Sequence, residues 1–99
     1  GEKALAEIAK RSSGTDLGRL STFFCEQGIF LVIADKARLA MVKAAMKKGL
    51  GARGLVSVLS QVIYPSYPLM QAKTPCRVYI NEDCITKGSA PVICSIYPQ

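Results

Sequence analysis

The chain has 99 residues, 49% of them apolar, with 13 basic against 7 acidic side chains, 4 cysteines and no histidine. That length makes one small domain, residues 1–99, able to bury a modest core. The apolar share excludes a disordered chain, the longest apolar run, Gly28 to Ala34, is too short to span a bilayer, and the missing histidine excludes a His-based triad or His-dependent metal site.

Glu2 to Arg11 reads as a helix, with Ala4, Leu5, Ile8 and Ala9 on one side. Glu2, Lys3 and Glu7 among alanines do not make a signal peptide. A chain that opens mid-helix reads as a piece of a longer one. Ser12-Ser13-Gly14 is a breaker. Thr15 or Asp16 caps the next helix, which runs to about Gln27 on a stripe of Leu17, Leu20, Phe23 and Phe24 and stops at Gly28. Phe30 to Ala34 reads as a strand. Asp35 then caps a third helix, with one apolar stripe of Ala37, Ala40, Met41, Ala44 and Ala45 and a second of Leu39, Val42 and Met46. A helix apolar on two sides is expected between neighbours.

After a glycine turn, Leu55, Val58, Leu59, Val62 and Ile63 mark a fourth helix, stopped by Pro65 and Pro68. Residues 65–75 read as an irregular loop. Cys76 to Ile80 reads as a strand, Asn81-Glu82-Asp83 as a capped single turn leading to Ile85, and Val92 to Ile96 as a last strand opened by Pro91. The order ααβααββ predicts an α+β fold, four helices packed on a small sheet of about three strands.

The turn itself, Gly49-Leu50-Gly51-Ala52-Arg53-Gly54-Leu55, spells G-x-G-x-x-G. A dinucleotide fingerprint needs a strand before the glycines and an acidic residue about 20 positions on. Here a helix precedes them, and no Asp or Glu occurs between Asp35 and Glu82. The glycines suit a helix C-cap and a tight helix–helix turn. Arg53 is not explained that way. The positive end of a helix dipole favours anions, so an arginine in the first turn points to an arriving negative group such as a phosphate.

From Lys36 to Asn81 there are eight basic residues and no acidic one. Lys36, Lys43, Lys47, Lys48 and Arg53 form either a patch for an anion, nucleotide or nucleic acid, or a surface for an acidic protein, or a solvated face. No aromatic interleaves the lysines for base stacking, which argues against nucleic acid. Cys25, Cys76, Cys84 and Cys94 contain no CxxC pair, so no metal site is expected. Cys76 alternates with Val78 and Ile80, and Cys94 with Val92 and Ile96, which predicts two buried free thiols on the apolar face of strands. Phe23, Phe24 and Tyr67 are candidate exposed aromatics.

With GARGL opening the fourth helix, the chain resembles the C-terminal small, or lid, subdomain of AAA+ unfoldases of the ClpX type. Lys3-Ala4-Leu5 to Gly28-Ile29-Phe30-Leu31 follows the family's short helix, capped loop and helix ending in aromatic-x-x-x-Gly. Ile33-Ala34-Asp35-Lys36-Ala37 resembles its F-T-D-E-A step, Lys43 and Ala45 match its lysine and alanine, and Gly51-Ala52-Arg53-Gly54-Leu55 is its second-sensor motif. Val78 to Ile85 resembles its V-V-I-D-E-x-V-I, and Pro91 to Tyr97 its closing P-L-L-I-Y strand. Ile63-Tyr64-Pro65-Ser66-Tyr67-Pro68 departs from its M-Y-D-L-P-S by losing the acidic residue. HslU-type ATPases share this subdomain and are the close alternative.

The resemblance implies a domain without catalytic residues of its own, since no G-x-x-x-x-G-K-[ST] cradle is present. ATP or ADP with Mg²⁺ would be held only in the longer parent, at the junction with a large subdomain, and none is expected on this piece alone. Arg53 would be the nucleotide-sensing residue, with Gly51 and Ala52 shaping the turn. The implied partners are the large subdomains of the same chain and of the adjacent subunit in a homo-hexameric ring, with a peptidase as a further candidate. The implied compartment is the cytoplasm or an organelle matrix. The alternatives are a freestanding basic nucleic-acid-binding module and an adaptor.

Overall fold

The computed structural model describes residues 1–10 and 15–97, apart from the side chains of Ile8 and Lys10. The expected breaker Ser12-Ser13-Gly14 and the end of the first predicted helix at Arg11 lie outside those residues. The main elements are helix α1 (Glu2–Lys10), helix α2 (Asp16–Glu26), strand β1 (Ile29–Ile33), helix α3 (Asp35–Lys48), helix α4 (Ala52–Ile63), strand β2 (Cys76–Ile80) and strand β3 (Val92–Ser95). The order ααβααββ and the α+β class are as the sequence predicts.

The caps differ in kind. Thr15 Oγ1 accepts the Gly18 N–H at 3.0 Å and starts α2. The α3 N-cap is Ala34, not Asp35, and no side chain caps it. Asp35 is instead the first helical residue, where its charge still meets the positive end of the dipole. α2 leads into β1 through Gly28, held at φ 81°.

Residues 65–75, expected to be an irregular loop, contain a 3₁₀ turn (Tyr64–Ser66) and a fifth helix, α5 (Tyr67–Ala72). The prolines permit this because Pro65 and Pro68 both fall in first turns, where a missing N–H breaks no helical bond. Met70 is wholly buried, and the Tyr67 hydroxyl donates to Gln27 Oε1. These two side chains dock α5 onto the core. The capped turn after β2 is a short helix, α6 (Glu82–Thr86), with Asn81 Oδ1 accepting the Cys84 N–H at 3.1 Å.

The sheet order is β1-β2-β3, parallel between β1 and β2 and antiparallel between β2 and β3. Ile29, Cys76, Val78 and Ile80 turn inward and meet Phe24, Met41, Leu55, Leu59 and Ile63 in one core. Phe30, Val32, Arg77, Tyr79, Val92 and Cys94 are exposed on the opposite face, which no helix covers among the described residues. Cys94 thus departs from the expectation of a buried thiol. Its ladder partner is Arg77, while Ile93 and Ser95 lie opposite the inward Val78 and Cys76. Of the three candidate exposed aromatics, Phe23 is 52% exposed while Phe24 is wholly buried and Tyr67 partly so.

Candidate functional site

α3 runs down to the glycine turn, and α4 returns along it. Gly49 takes the left-handed conformation (φ 69°, ψ 20°) and its N–H donates to Ala45 O and Met46 O at 3.2 and 3.1 Å. That closes α3 as a glycine C-cap should. Gly51 sits at φ 60°, ψ −133°, a conformation that side-chain-bearing residues avoid. Its backbone reverses the chain in the space of Leu50 and Gly51.

Arg53 is the second residue of α4, is exposed, and has no hydrogen-bond or ion-pair partner among the described residues. The first turn of α4 holds no acidic residue and no side chain caps it. The result is an unpartnered guanidinium in the first turn of a helix that has no side-chain cap. A planar fork of donors with fixed charge suits the oxygens of a phosphate. Beside it, the start of α1 and the turn enclose an open groove of about 390 Å³ lined by Gly1, Ala4, Leu5, Met46, Gly49 and Gly51 with Ala52. Gly51 and Ala52 line this groove, and Arg53, next in sequence, is not among its lining residues.

Gly54 has a role that the motif alone did not reveal. A Cβ placed there would lie 2.9 Å from Ala45 Cβ and 3.0 Å from Ala45 Cα. The helices touch backbone to backbone at this point, so the glycine fixes how closely α4 lies on α3 and hence where Arg53 is held. The signal was present as a small residue facing the Ala44-Ala45 pair across a tight turn.

Lys36, Lys43 and Lys47 share a groove between α3 and α6, and Arg53 is not among its residues. Arg38 is used structurally: its Nη1 donates to Ala9 O at 2.7 Å, at the C-terminal end of α1. No local pattern gives that pairing, because the partners are 29 residues apart. The four cysteines are free, with Cys76 and Cys84 buried and Cys25 and Cys94 exposed. Burial pushes the Cys76 thiol pKa above its ordinary value, opposed in part by the Lys73 charge. Among the described residues no helix is long and apolar enough to cross a membrane.

The fold and the turn define an AAA+ C-terminal small subdomain, a module that is not itself the catalytic ATPase. The family model for the C-terminal, D2-small domain of ClpB protein matches residues 1–69, and the chain belongs to this Clp-type family. It is similar to the "ATP-dependent Clp protease ATP-binding subunit ClpX 2" of Wolinella succinogenes, at 26% identity over 86 residues. That match covers 87% of this chain and 21% of the relative, so the chain spans about a fifth of the relative's length.

Proposed function

We propose that this chain is the lid of an ATP-driven protein unfoldase and that Arg53 is its nucleotide sensor. The observation that carries this reading is the exposed, unpartnered Arg53 at the uncapped start of α4, held by Gly51 and Gly54. The nucleotide supplies a terminal phosphate, bound by the large subdomain of the longer parent. Arg53 would hold and orient that phosphate, which would be its only counter-charge. Because Gly54 packs directly on Ala45, a displacement of Arg53 moves α3 and α4 together rather than bending one of them.

The hinge in this reading lies just before Glu2. The open sheet face and α3 dock on the large subdomain of the adjacent subunit and close a hexameric ring through a heterologous contact. A peptidase ring is a candidate partner of the assembly, and ATP or ADP with Mg²⁺ its cofactor. The donor set fits such a group, since an unpartnered guanidinium in the first turn of a helix is suited to a phosphate.

The test is Arg53→Ala and Arg53→Lys in the full-length parent. Losing a charge-assisted hydrogen bond costs roughly 1.5–3 kcal/mol, so the nucleotide response should weaken by about 10- to 100-fold in Arg53→Ala. Lysine should recover it only partly, since it lacks the planar fork. The melting temperature of the 99-residue chain should be unchanged, because Arg53 touches nothing that holds the fold. Full ATPase and unfolding activity in Arg53→Ala would overturn the assignment.

A further inference from the structure

The groove between α3 and α6 has a chemistry that the Arg53 site does not use, and it lies on the helix that the proposed ring contact also employs. Lys36, Lys43 and Lys47 stand on one side of α3, at spacings of seven and four residues. At 1.5 Å per residue these are about 10 and 6 Å along the helix axis. All three are exposed, and none makes an ion pair or side-chain hydrogen bond among the described residues. The floor beside them is aliphatic: Ala40, Ala44, Ile85 and Leu39, the last left 54% exposed. The open volume is about 620 Å³.

We propose that this groove receives an acidic, amphipathic helix of another protein chain. A basic wall along an apolar floor is the complement of a helix with carboxylates on one flank and leucine-like residues on the next, the helix-in-groove mode of recognition. The lysine spacing selects carboxylates at i, i+4 and i+11, which lie along one flank of such a helix. A nucleic-acid backbone fits worse. It would lay charged phosphates on an aliphatic floor, find no aromatic ring among the groove residues, and meet Glu82 at the far wall. A second copy of this chain does not supply the complement either. Its helical acids are Glu2 and Glu7 in α1, Asp16 and Glu26 in α2, a lone Asp35 in α3, and the adjacent Glu82 and Asp83 in α6. None of these helices repeats acids at three, four or seven residues. The inference stands whether or not Arg53 senses a nucleotide, because that residue lies outside the groove.

The experiment titrates the 99-residue chain into three fluorescent probes and follows anisotropy. One probe is a synthetic helical peptide with glutamates at i, i+4 and i+11 and leucines on the neighbouring flank. The second has the same composition in scrambled order, and the third is a single-stranded DNA oligonucleotide. The ordered peptide should bind most tightly, with affinity falling as salt rises. Lys43→Glu with Lys47→Glu should weaken it by about tenfold or more, from two reversed ion pairs. Leu39→Ser should weaken it without changing the charge, and Lys3→Glu, on α1, should leave it unchanged. All four positions are exposed, so the fold should survive each change. Equal binding of ordered and scrambled peptides, no binding of either, or tighter binding of the oligonucleotide that Lys43→Glu abolishes would overturn the proposal.

Discussion

Gly54 and Gly51 look alike in the motif but are required for different reasons. At Gly54 the obstacle is space, with Ala45 backbone 3.0 Å from any added Cβ. Forcing a methyl group into such a contact costs about 1–3 kcal/mol, offset by at most about 1 kcal/mol of alanine's better helix propensity. Gly54→Ala should therefore lower stability by up to about 2 kcal/mol, read as a lower urea midpoint, and trimming Ala45→Gly should not restore it fully, because the Ala45 Cα and O contacts at 3.0 and 3.2 Å are backbone. At Gly51 there is open space around the Cβ position and the obstacle is φ, so Gly51→Ala should cost about 1–3 kcal/mol that no neighbouring substitution recovers.

Cys76 gives a second prediction at this scale. Its pKa is raised in the folded chain above the ordinary 9.0, so below that pH the thiol is protonated in both states and contributes no pH dependence. Above it the unfolded chain ionises first, and stability should fall as pH rises toward the folded value. The difference between wild type and Cys76→Val in urea melts, flat near neutrality and narrowing from about pH 9 upward, checks the sign. A thiol reagent should label Cys25 and Cys94 quickly and the buried Cys76 and Cys84 only on unfolding.

Among the elements, α2 and α6 carry side-chain caps from Thr15 and Asn81, while α3 and α4 have none. The two capped helices should respond to Thr15→Ala and Asn81→Ala with losses of about 1 kcal/mol each. α3 depends on packing instead, lying against α1, α4 and α6 with Ala37, Met41, Val42 and Ala45 buried. Its two apolar stripes were legible, but only Val42 of the second is buried, since Leu39 and Met46 stay exposed. α5 was not legible because a proline reads as a stop from sequence, and whether it interrupts a helix or sits in the first turn of a new one depends on tertiary contacts. Here Met70 and Tyr67 find places in the core and against Gln27, which stabilises the short helix.

For the whole molecule, helices cover one side of a three-stranded sheet and leave the other open. Val92 is 57% exposed there, next to Tyr79, Phe30 and Val32, with Arg77 in their midst. An exposed apolar sheet face with a central arginine is suited to a partner that brings a carboxylate. If this face makes the proposed ring contact, Arg77→Glu with Val92→Asp in the full-length parent should weaken self-association at low protein concentration, followed by sedimentation, while the 99-residue chain keeps its fold. Unaltered assembly would remove this face from the subunit contact.

What the residues determine by themselves is local. Apolar spacing in Leu55 to Ile63 marks a helix, and Gly49 after Lys48 marks a C-cap. These need only the chain's own stereochemistry and near neighbours. The tertiary structure decided which candidates share a surface: it set Arg53 at the turn, took Arg38 for the end of α1, gathered Lys36, Lys43 and Lys47 over α6, and put Cys94 on the open face. Arg38 depends on Ala9, 29 residues away, and Cys94 on its ladder partner Arg77, pairings that no local periodicity encodes, because burial is a property of the assembled core and not of any one segment.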